Sequence, residues 1–466
     1  MPDRTVARVA TAGRRPRSPL FASSVFVASA ALALMALATA PRHAAAAPDT
    51  AGGAAQGAPE VPPLTSSAED VSAAAALPVG ETTTGEIRAM WVVRDSMTSR
   101  EKIRNAVGLA KKYGFNTLFV QVRGRGDAFY ESSYEPRSES LAKAPRDFDP
   151  LAYAIEEGHK AGLEVHAWMN TFLVWHSKRK PYSQKHIVNM HPDWLVQDKQ
   201  GRVAMTEQYD AEGAFLNPAI PAAREYTKNV FLDVVGRYDI DGIHFDYVRY
   251  PSERFSFSRR DLSLFRDWLL PTLKPSAVEY ADLKARKNRL AWYYLFPAEW
   301  KRWRQENVTQ TVRAISEEAH RYKPNLIVSA AVFPNYDVAS VDKGQSWHAW
   351  LQNDILDAAC PMTYSNSTAT VASQIRDAVA NSGGKPIIAG VGAWRIPAAS
   401  AIAKGEAYRN VGAAGINFFS YDGMTRAGRT ERYLAKVGQT LFPASRSAPP
   451  NWRRGAKKRT ETGKAD

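Results

Sequence analysis

The chain has 466 residues, 45% hydrophobic and 23% charged, with a single cysteine and a formal net charge of +14. That composition supports a large core and excludes a chain disordered throughout, and a lone cysteine excludes an intramolecular disulfide. The charge is not a nucleic-acid signature, because it sits at the ends: residues 1–48 hold six basic and one acidic residue, residues 444–466 seven and two, and the rest 48 against 44.

Residues 1–48 run from arginines at 4, 8, 14, 15 and 17, through an apolar stretch from Phe21 to Ala40, to the small residues Ala44 to Ala47. Charged, apolar and small-residue regions in that order are the layout of a secretory signal peptide. The expectation is export to the periplasm or cell exterior, with cleavage near Ala47 favoured over a retained anchor. No cysteine lies there to accept a lipid, so a lipoprotein is not expected. Arg14-Arg15 lacks the hydrophobic pair that usually follows a twin-arginine signal. Residues 49–85, rich in Ala, Gly, Pro, Ser and Thr, read as a disordered linker, 86–442 as the folded domain, and 443–466 as a basic disordered tail suited to anionic envelope polymers. The pattern leaves the oligomeric state open.

Within the domain, eight apolar runs alternate with helical periodicity. The predicted strands are Arg88–Val93, Thr117–Val122, Glu164–Met169, Asp241–Val248, Leu326–Val332, Leu356–Met362, Pro386–Val391 and Gly415–Ser420. Helices are predicted at Ser99–Tyr113, Asp149–Ala161, Ala222–Arg237, Glu299–Tyr322, Thr370–Ser382, Ala398–Asn410 and Glu431–Leu441. Strands apolar on both faces belong to parallel sheets covered by helices, and eight such units in succession point to an α/β fold, a (β/α)8 TIM barrel. No Gly-rich nucleotide fingerprint follows the first strand, which counts against an open doubly wound sheet. Long insertions follow strand 3 (Thr171 to about Pro221) and strand 4 (Ser252 to about Pro297), and they are expected to overhang the active face. Cys360, inside an apolar run, reads as a small buried hydrophobe.

Period-two alternation in the fourth strand sends His244 and Asp246 to one side, towards the barrel interior near its mouth. A carboxylate there is costly unless it is paired, and Arg249 and Tyr250 stand just past it. A buried structural Asp246–Arg249 pair and a catalytic carboxylate are both open, and a C-terminal strand position in a barrel favours catalysis. Other strand ends supply Arg94 and Asp95, Gln121, Arg123 and Asp127, His166, Trp168 and Asn170, Asn335, Tyr364, Trp394, and Tyr421 and Asp422. Directional polar groups crowded among aromatic rings suit a polyhydroxylated ligand. His244 with Asp246 is a conceivable metal pair, yet neither a His-x-His on the first strand nor a cysteine cluster accompanies it, so no metal or other cofactor is implied. No Gly-x-Ser-x-Gly elbow supports a serine triad, and Arg125-Gly126-Asp127 is a chance tripeptide.

Several stretches then fall in a telling order: Glu86-Ile-Arg-Ala-Met-Trp, Gly126-Asp-Ala-Phe-Tyr, Phe148-Asp-Pro-Leu, Val165-His-Ala-Trp-Met-Asn, His191-Pro-Asp-Trp, Leu216-Asn-Pro, and Asp241-Gly-Ile-His-Phe-Asp-Tyr-Val-Arg-Tyr-Pro. From about Glu86 to Phe442 the chain resembles the bacterial glycosyl-hydrolase-like family 10. The resemblance implies a barrel hydrolase of the cell envelope acting on a polysaccharide, peptidoglycan glycan strands first among them. It assigns Asp246 as the acid of the strand-four motif and Asp127, Trp168, Asn170 and Asn217 to the pocket. Many members carry two adjacent acids where this chain has Asp246-Tyr247.

The expectation is therefore a glycoside hydrolase using paired carboxyls. Asp246 is the first; Asp127 ranks above Asp422 and Asp95 as its partner. Arg123, His166, Trp168, Asn170, Asn217, His244, Arg249, Tyr364, Trp394 and Tyr421 are the expected substrate contacts. Arg123 and Arg249 suit a substrate carboxylate such as a lactyl group, or equally the bracing of Asp127 and Asp246. The rival expectations are a noncatalytic glycan-binding barrel and a metal-dependent hydrolase built on His244 and Asp246.

Overall fold

The computed structural model describes residues 85–426, 429–443 and 450–452. The expected signal peptide, nearly all of the expected linker and most of the expected tail lie outside the described residues. The expected (β/α)8 barrel is present. Its barrel strands are β1 (Ile87–Val92), β2 (Thr117–Arg123), β3 (Glu164–Asn170), β4 (Gly242–Asp246), β5 (Ile327–Val332), β6 (Ala358–Pro361), β7 (Ile388–Gly392) and β8 (Gly415–Phe419). All pair in parallel, from β1 through to β6 on one side and through β8 to β7 on the other. A parallel bridge between Ala359 and Ile387 closes the ring.

Closure dictates the burial pattern. Every residue of β1, β2 and β5 is buried, since one set of side chains meets the helices and the other meets the opposite barrel wall. The inward set includes Ile87, Trp91, Phe119, Trp168, Ile327, Cys360 and Ile388. Large rings are accommodated by small residues alongside: a Cβ on Gly242 would stand 2.4 Å from the His166 Nδ1. The helices start where capping chemistry allows. Ser99 accepts from the Lys102 amide at the head of the helix Arg100–Lys112, and Asp149 accepts from the Ala152 amide at the head of Pro150–Lys160.

The fourth strand ends two residues earlier than its apolar run suggests. Tyr247 has φ 48°, a left-handed conformation that a strand cannot continue through. The two insertions sit where expected. The first makes a two-stranded ribbon from Leu173–Trp175 and Ala214–Phe215. The second is more helical than its pattern suggested, with helices Arg259–Leu269, Pro275–Ala285 and Ala291–Leu295. The first of these opens on a reciprocal capping box between Ser258 and Asp261. Within the stretch read as a tail, Trp452 is 4% exposed. Its ring lies 4.8 Å from His166, and its indole donates to Glu164 at 2.6 Å, against the N-terminal end of the barrel.

At the other end, Arg123 and Glu135 form an ion pair with both side chains fully buried. Arg123 Nε reaches both Glu135 oxygens at 2.9 Å, Nη1 donates to the Asn170 and Thr171 carbonyls, and the Tyr226 hydroxyl donates to Glu135 at 3.2 Å. The pair ties β2 to the end of β3 and to the helix Pro221–Arg237. Arg123→Met, which leaves Glu135 buried without its cation, is expected to cost about 3–5 kcal/mol in chemical denaturation of the purified protein. A loss below about 1 kcal/mol would show that the pair does not hold these elements together.

Candidate active site at the barrel mouth

Asp246 ends β4, and the strand register sets Asn170 beside it and Trp168 beside His244. The carboxylate is only partly exposed. Its Oδ2 accepts from the Trp168 indole at 3.1 Å and its Oδ1 from the Tyr247 amide at 2.7 Å. Burial pushes the carboxyl up to about 6 against the pull of the Tyr247 amide, Arg249 and the indole, and the charge of Glu212 adds to the rise. A carboxyl in that state is a proton donor under mildly acidic conditions. The strained Tyr247 backbone aims its amide at the carboxylate, and backbone strain of this kind is typical of functional sites.

Around the carboxyl the strand ends are aromatic. Tyr364 meets the Trp394 ring edge-on at 4.8 Å and lies 5.9 Å from Phe419. The charge of Asp246 bears on the Tyr364 phenol, which places that ring beside it. Trp394 is 5% exposed, whereas Tyr364 and Phe419 are partly open. Tyr421 turns into the short helix Tyr421–Thr425 and is buried.

Several expected contacts lie deeper than the sequence suggested. His244 is completely buried and stacks on Phe119 at 4.2 Å. The Trp91 indole, which can only donate, reaches His244 Nε2 at 3.1 Å, so Nδ1 carries the proton towards the Ser329 hydroxyl at 2.9 Å. Burial lowers its pKa well below the usual value, consistent with a neutral ring. Both nitrogens are thus engaged, and the His244–Asp246 metal pair has no free histidine ligand. Among the described residues no group of three or more His, Cys, Asp or Glu gathers as a metal site. His166 is also wholly buried, near the N-terminal end of the barrel against Trp452. Asn170 donates to the Gly124 carbonyl at 2.7 Å and is buried. Asn217 anchors the first insertion to the second, donating to Asp261 at 2.6 Å. Arg123 belongs to the Glu135 pair. For His244, Asn170, Asn217 and Arg123 the geometry supports positioning of the mouth rather than contact with a ligand, and His166 belongs to the opposite end of the barrel.

Arg249 is 5% exposed and donates to Glu212 at 2.7 Å, with its guanidinium near the rings of Phe215, Tyr247 and Phe333. Its partner is therefore not Asp246. Burial works against the Glu212 charge, but Arg249 and Lys343 outweigh it and hold the carboxyl below its usual range. The second oxygen of Glu212 is buried without a hydrogen-bond partner. Sequence reasoning missed Glu212 because it lies in an insertion, away from the end of any barrel strand. Its one local signal was Gly213, where a Cβ would meet the Trp175 carbonyl at 2.2 Å.

Asp127 is 2% exposed; its oxygens accept from the Arg125 amide at 3.0 Å and the Ser138 hydroxyl at 2.7 Å. Burial opposes its charge, yet Arg125, Ser138 and Arg94 hold it below the usual range. Asp422 accepts from the Val93 amide at 2.9 Å and the Ser96 hydroxyl at 2.6 Å, bracing the turn after β1, and burial raises its pKa. Asp95 is exposed. A cavity of 720 Å³ lies at the opposite end of the barrel, lined by Glu164, Asp241 and Trp452 among others, away from these groups.

Comparison with known proteins identifies the family and the fold. A family model described as Glycosyl hydrolase-like 10 covers residues 86–409. The chain is 34% identical to glycosyl hydrolase YngK of Bacillus subtilis over 184 residues, which is 36% of this chain and 34% of that protein. It is 23% identical to glycosyl hydrolase DigH of Escherichia coli K12 over 307 residues, 57% of this chain and 60% of that one. The chain thus spans less than two thirds of the length of either relative. Among solved structures, the glycoside hydrolase domain of PgaB (BpsB) from Bordetella bronchiseptica superposes with a TM-score of 0.55 at 16% identity, covering 76% of this chain and 98% of that one. The catalytic domain of a β-amylase from Paenibacillus polymyxa does so with 0.53 at 13%, covering 79% and 100%. These two share the barrel. With the ordered motifs of β1 to β4 inside the matched span, the chain belongs to the glycosyl hydrolase-like 10 family.

Proposed function

We propose that the protein is an exported glycoside hydrolase that cleaves glycosidic bonds of a cell-envelope polysaccharide, peptidoglycan glycan strands first among them. The observation that carries the reading is the Asp246 carboxyl at the mouth of the barrel, partly open, oriented by Trp168 and Tyr247, and raised to about 6 by burial. Asp246 protonates the leaving glycosidic oxygen. An ionised carboxylate then stabilises or attacks the developing oxocarbenium ion, directly or through water. Glu212 and Asp127 are both held ionised, and of the two Glu212 contributes to the environment of Asp246. The partly open rings of Tyr364 and Phe419, backed by the buried Trp394, provide faces for sugar C–H groups. Export rests on the charged, apolar and small-residue order of residues 1–48.

Glycan strands stripped of peptides, incubated with the protein freed of its signal segment, should be cut into shorter saccharides. Asp246→Asn should reduce that rate by about 10²- to 10⁴-fold, the range for loss of a positioned acid. Chromatography of the products decides the matter. Strands bound but left intact by the unaltered protein would support the noncatalytic reading, and undiminished cleavage by the variant would remove Asp246 from the mechanism.

The acid works only while protonated, so kcat should fall as the pH rises through about 6. Glu212→Gln removes a charge that raises Asp246 and leaves Arg249 to lower it. The falling limb should then move to lower pH in a kcat profile taken below the melting temperature. A limb that stays in place would show that Glu212 does not act on Asp246.

A further inference from the structure

Just beyond β3 and the first strand of the ribbon, residues 176–185 read His-Ser-Lys-Arg-Lys-Pro-Tyr-Ser-Gln-Lys, with four formal cations and no acid. Elsewhere within the expected domain 44 basic residues stand against 39 acidic ones. The bland reading of such a run is a solvated surface turn. Three observations favour more. The turn is built: the Trp175 indole donates to the Arg179 carbonyl at 2.7 Å, and the Asn189 side chain donates to the Pro181 and Ser183 carbonyls at 2.9 Å each. It stands at the catalytic end of the barrel: His176 Nδ1 contacts the Glu212 carbonyl, and Trp175 packs under Arg125, two residues from Asp127. It also presents a sugar-compatible surface. Tyr182 is 73% exposed with the Arg179 guanidinium 3.6 Å from its ring centre, and Lys178, Lys180 and Lys185 of the same loop are exposed. One carboxylate reaches in, Glu139, which pairs with Arg179 at 2.5 Å and accepts from the Tyr182 amide at 2.8 Å.

The arginines that the sequence nominated for a charged substrate group are held in buried pairs, Arg123 by Glu135 and Arg249 by Glu212, whereas the Arg179 side chain is 44% exposed and its surface pair with Glu139 holds the cation only weakly. We propose that the loop formed by residues 176–185 is a subsite for the carboxylates of an anionic glycan, with Lys178, Arg179, Lys180 and Lys185 reading the charge and Tyr182 supporting a sugar ring. The ligand is a strand bearing a carboxylate on every second sugar, as ether-linked lactyl groups provide once peptides are removed. Repeating negative charges facing a fixed group of cations gain from several weak contacts at once, and such contacts weaken with salt. This rests on the reading of the mouth as a glycan-cleaving site, and it adds which residues recognise the charge of the strand.

The test compares peptide-free strands with the same strands amidated at their carboxyls, using the unaltered protein and the K178Q/R179Q/K180Q/K185Q variant, with melting curves to confirm that both are folded. On native strands the variant should show a KM raised about tenfold, as several exposed ion pairs together would supply, with kcat within about twofold. Amidation should raise the KM of the unaltered protein by a similar factor, and should add little to the variant. The same KM for both proteins on native strands, or a KM indifferent to amidation, would overturn the proposal. Binding of native strands to the Asp246→Asn protein, with and without the four loop substitutions, keeps the two claims apart. If nothing is cleaved, the hydrolase reading fails. The loop proposal then stands on salt-sensitive binding that the four substitutions abolish, and falls if they leave binding unchanged.

Discussion

The site depends on one constraint: a carboxyl group at the end of a strand enclosed by its neighbours. Burial makes the charged form of Asp246 expensive, and its two hydrogen-bond donors, the Trp168 indole and the Tyr247 amide, offset only part of that cost. The result is an acid that keeps its proton to a higher pH than an exposed aspartate. Each donor comes at a structural cost of its own. Trp168 commits an inward position of β3 to a large, almost wholly buried ring, and Tyr247 takes a backbone conformation that non-glycine residues seldom adopt.

The rest of the mouth fixes the surroundings of that carboxyl. The Arg123–Glu135 pair holds the ends of β2 and β3, and the Arg249–Glu212 pair holds the first insertion over the end of β4. Buried pairs of this kind gain little stability over apolar replacements, so their use is better sought in geometry and in the local field. Glu212 illustrates this, because it neutralises Arg249, which would otherwise favour ionisation of Asp246 more strongly. Tyr247 stands directly after Asp246, and the nearby negative charge comes from an insertion.

Much of the barrel was legible because a two-sided apolar strand leaves a strong local pattern, and all eight strands fall within a few residues of their predicted ends. Asp246 was legible for the same reason: a lone acid in such a run has to be explained. What alternation could not give was depth. His166, His244 and Asp246 share an inward orientation, yet the two histidines are buried in the packed interior while Asp246 alone reaches the opening. Nor could local pattern reveal pairing between distant segments. Arg249 looked like a partner for Asp246 because it is three residues away, whereas Glu212 comes from another part of the chain. The helices of the second insertion were less legible than their Ser258-x-x-Asp261 capping box allowed, since the stretch was read only as a long insertion overhanging the active face.

The central claim is that Asp246 delivers a proton to the leaving oxygen, and dependence on the leaving group tests it most directly. A good leaving group needs no proton, so an N-acetylglucosaminide of dinitrophenol bypasses the acid, while a sugar leaving group does not. The account predicts that Asp246→Asn loses far more rate on glycan strands than on the activated aryl glycoside. An equal loss on both substrates would contradict it and make Asp246 a nucleophile or a structural residue instead.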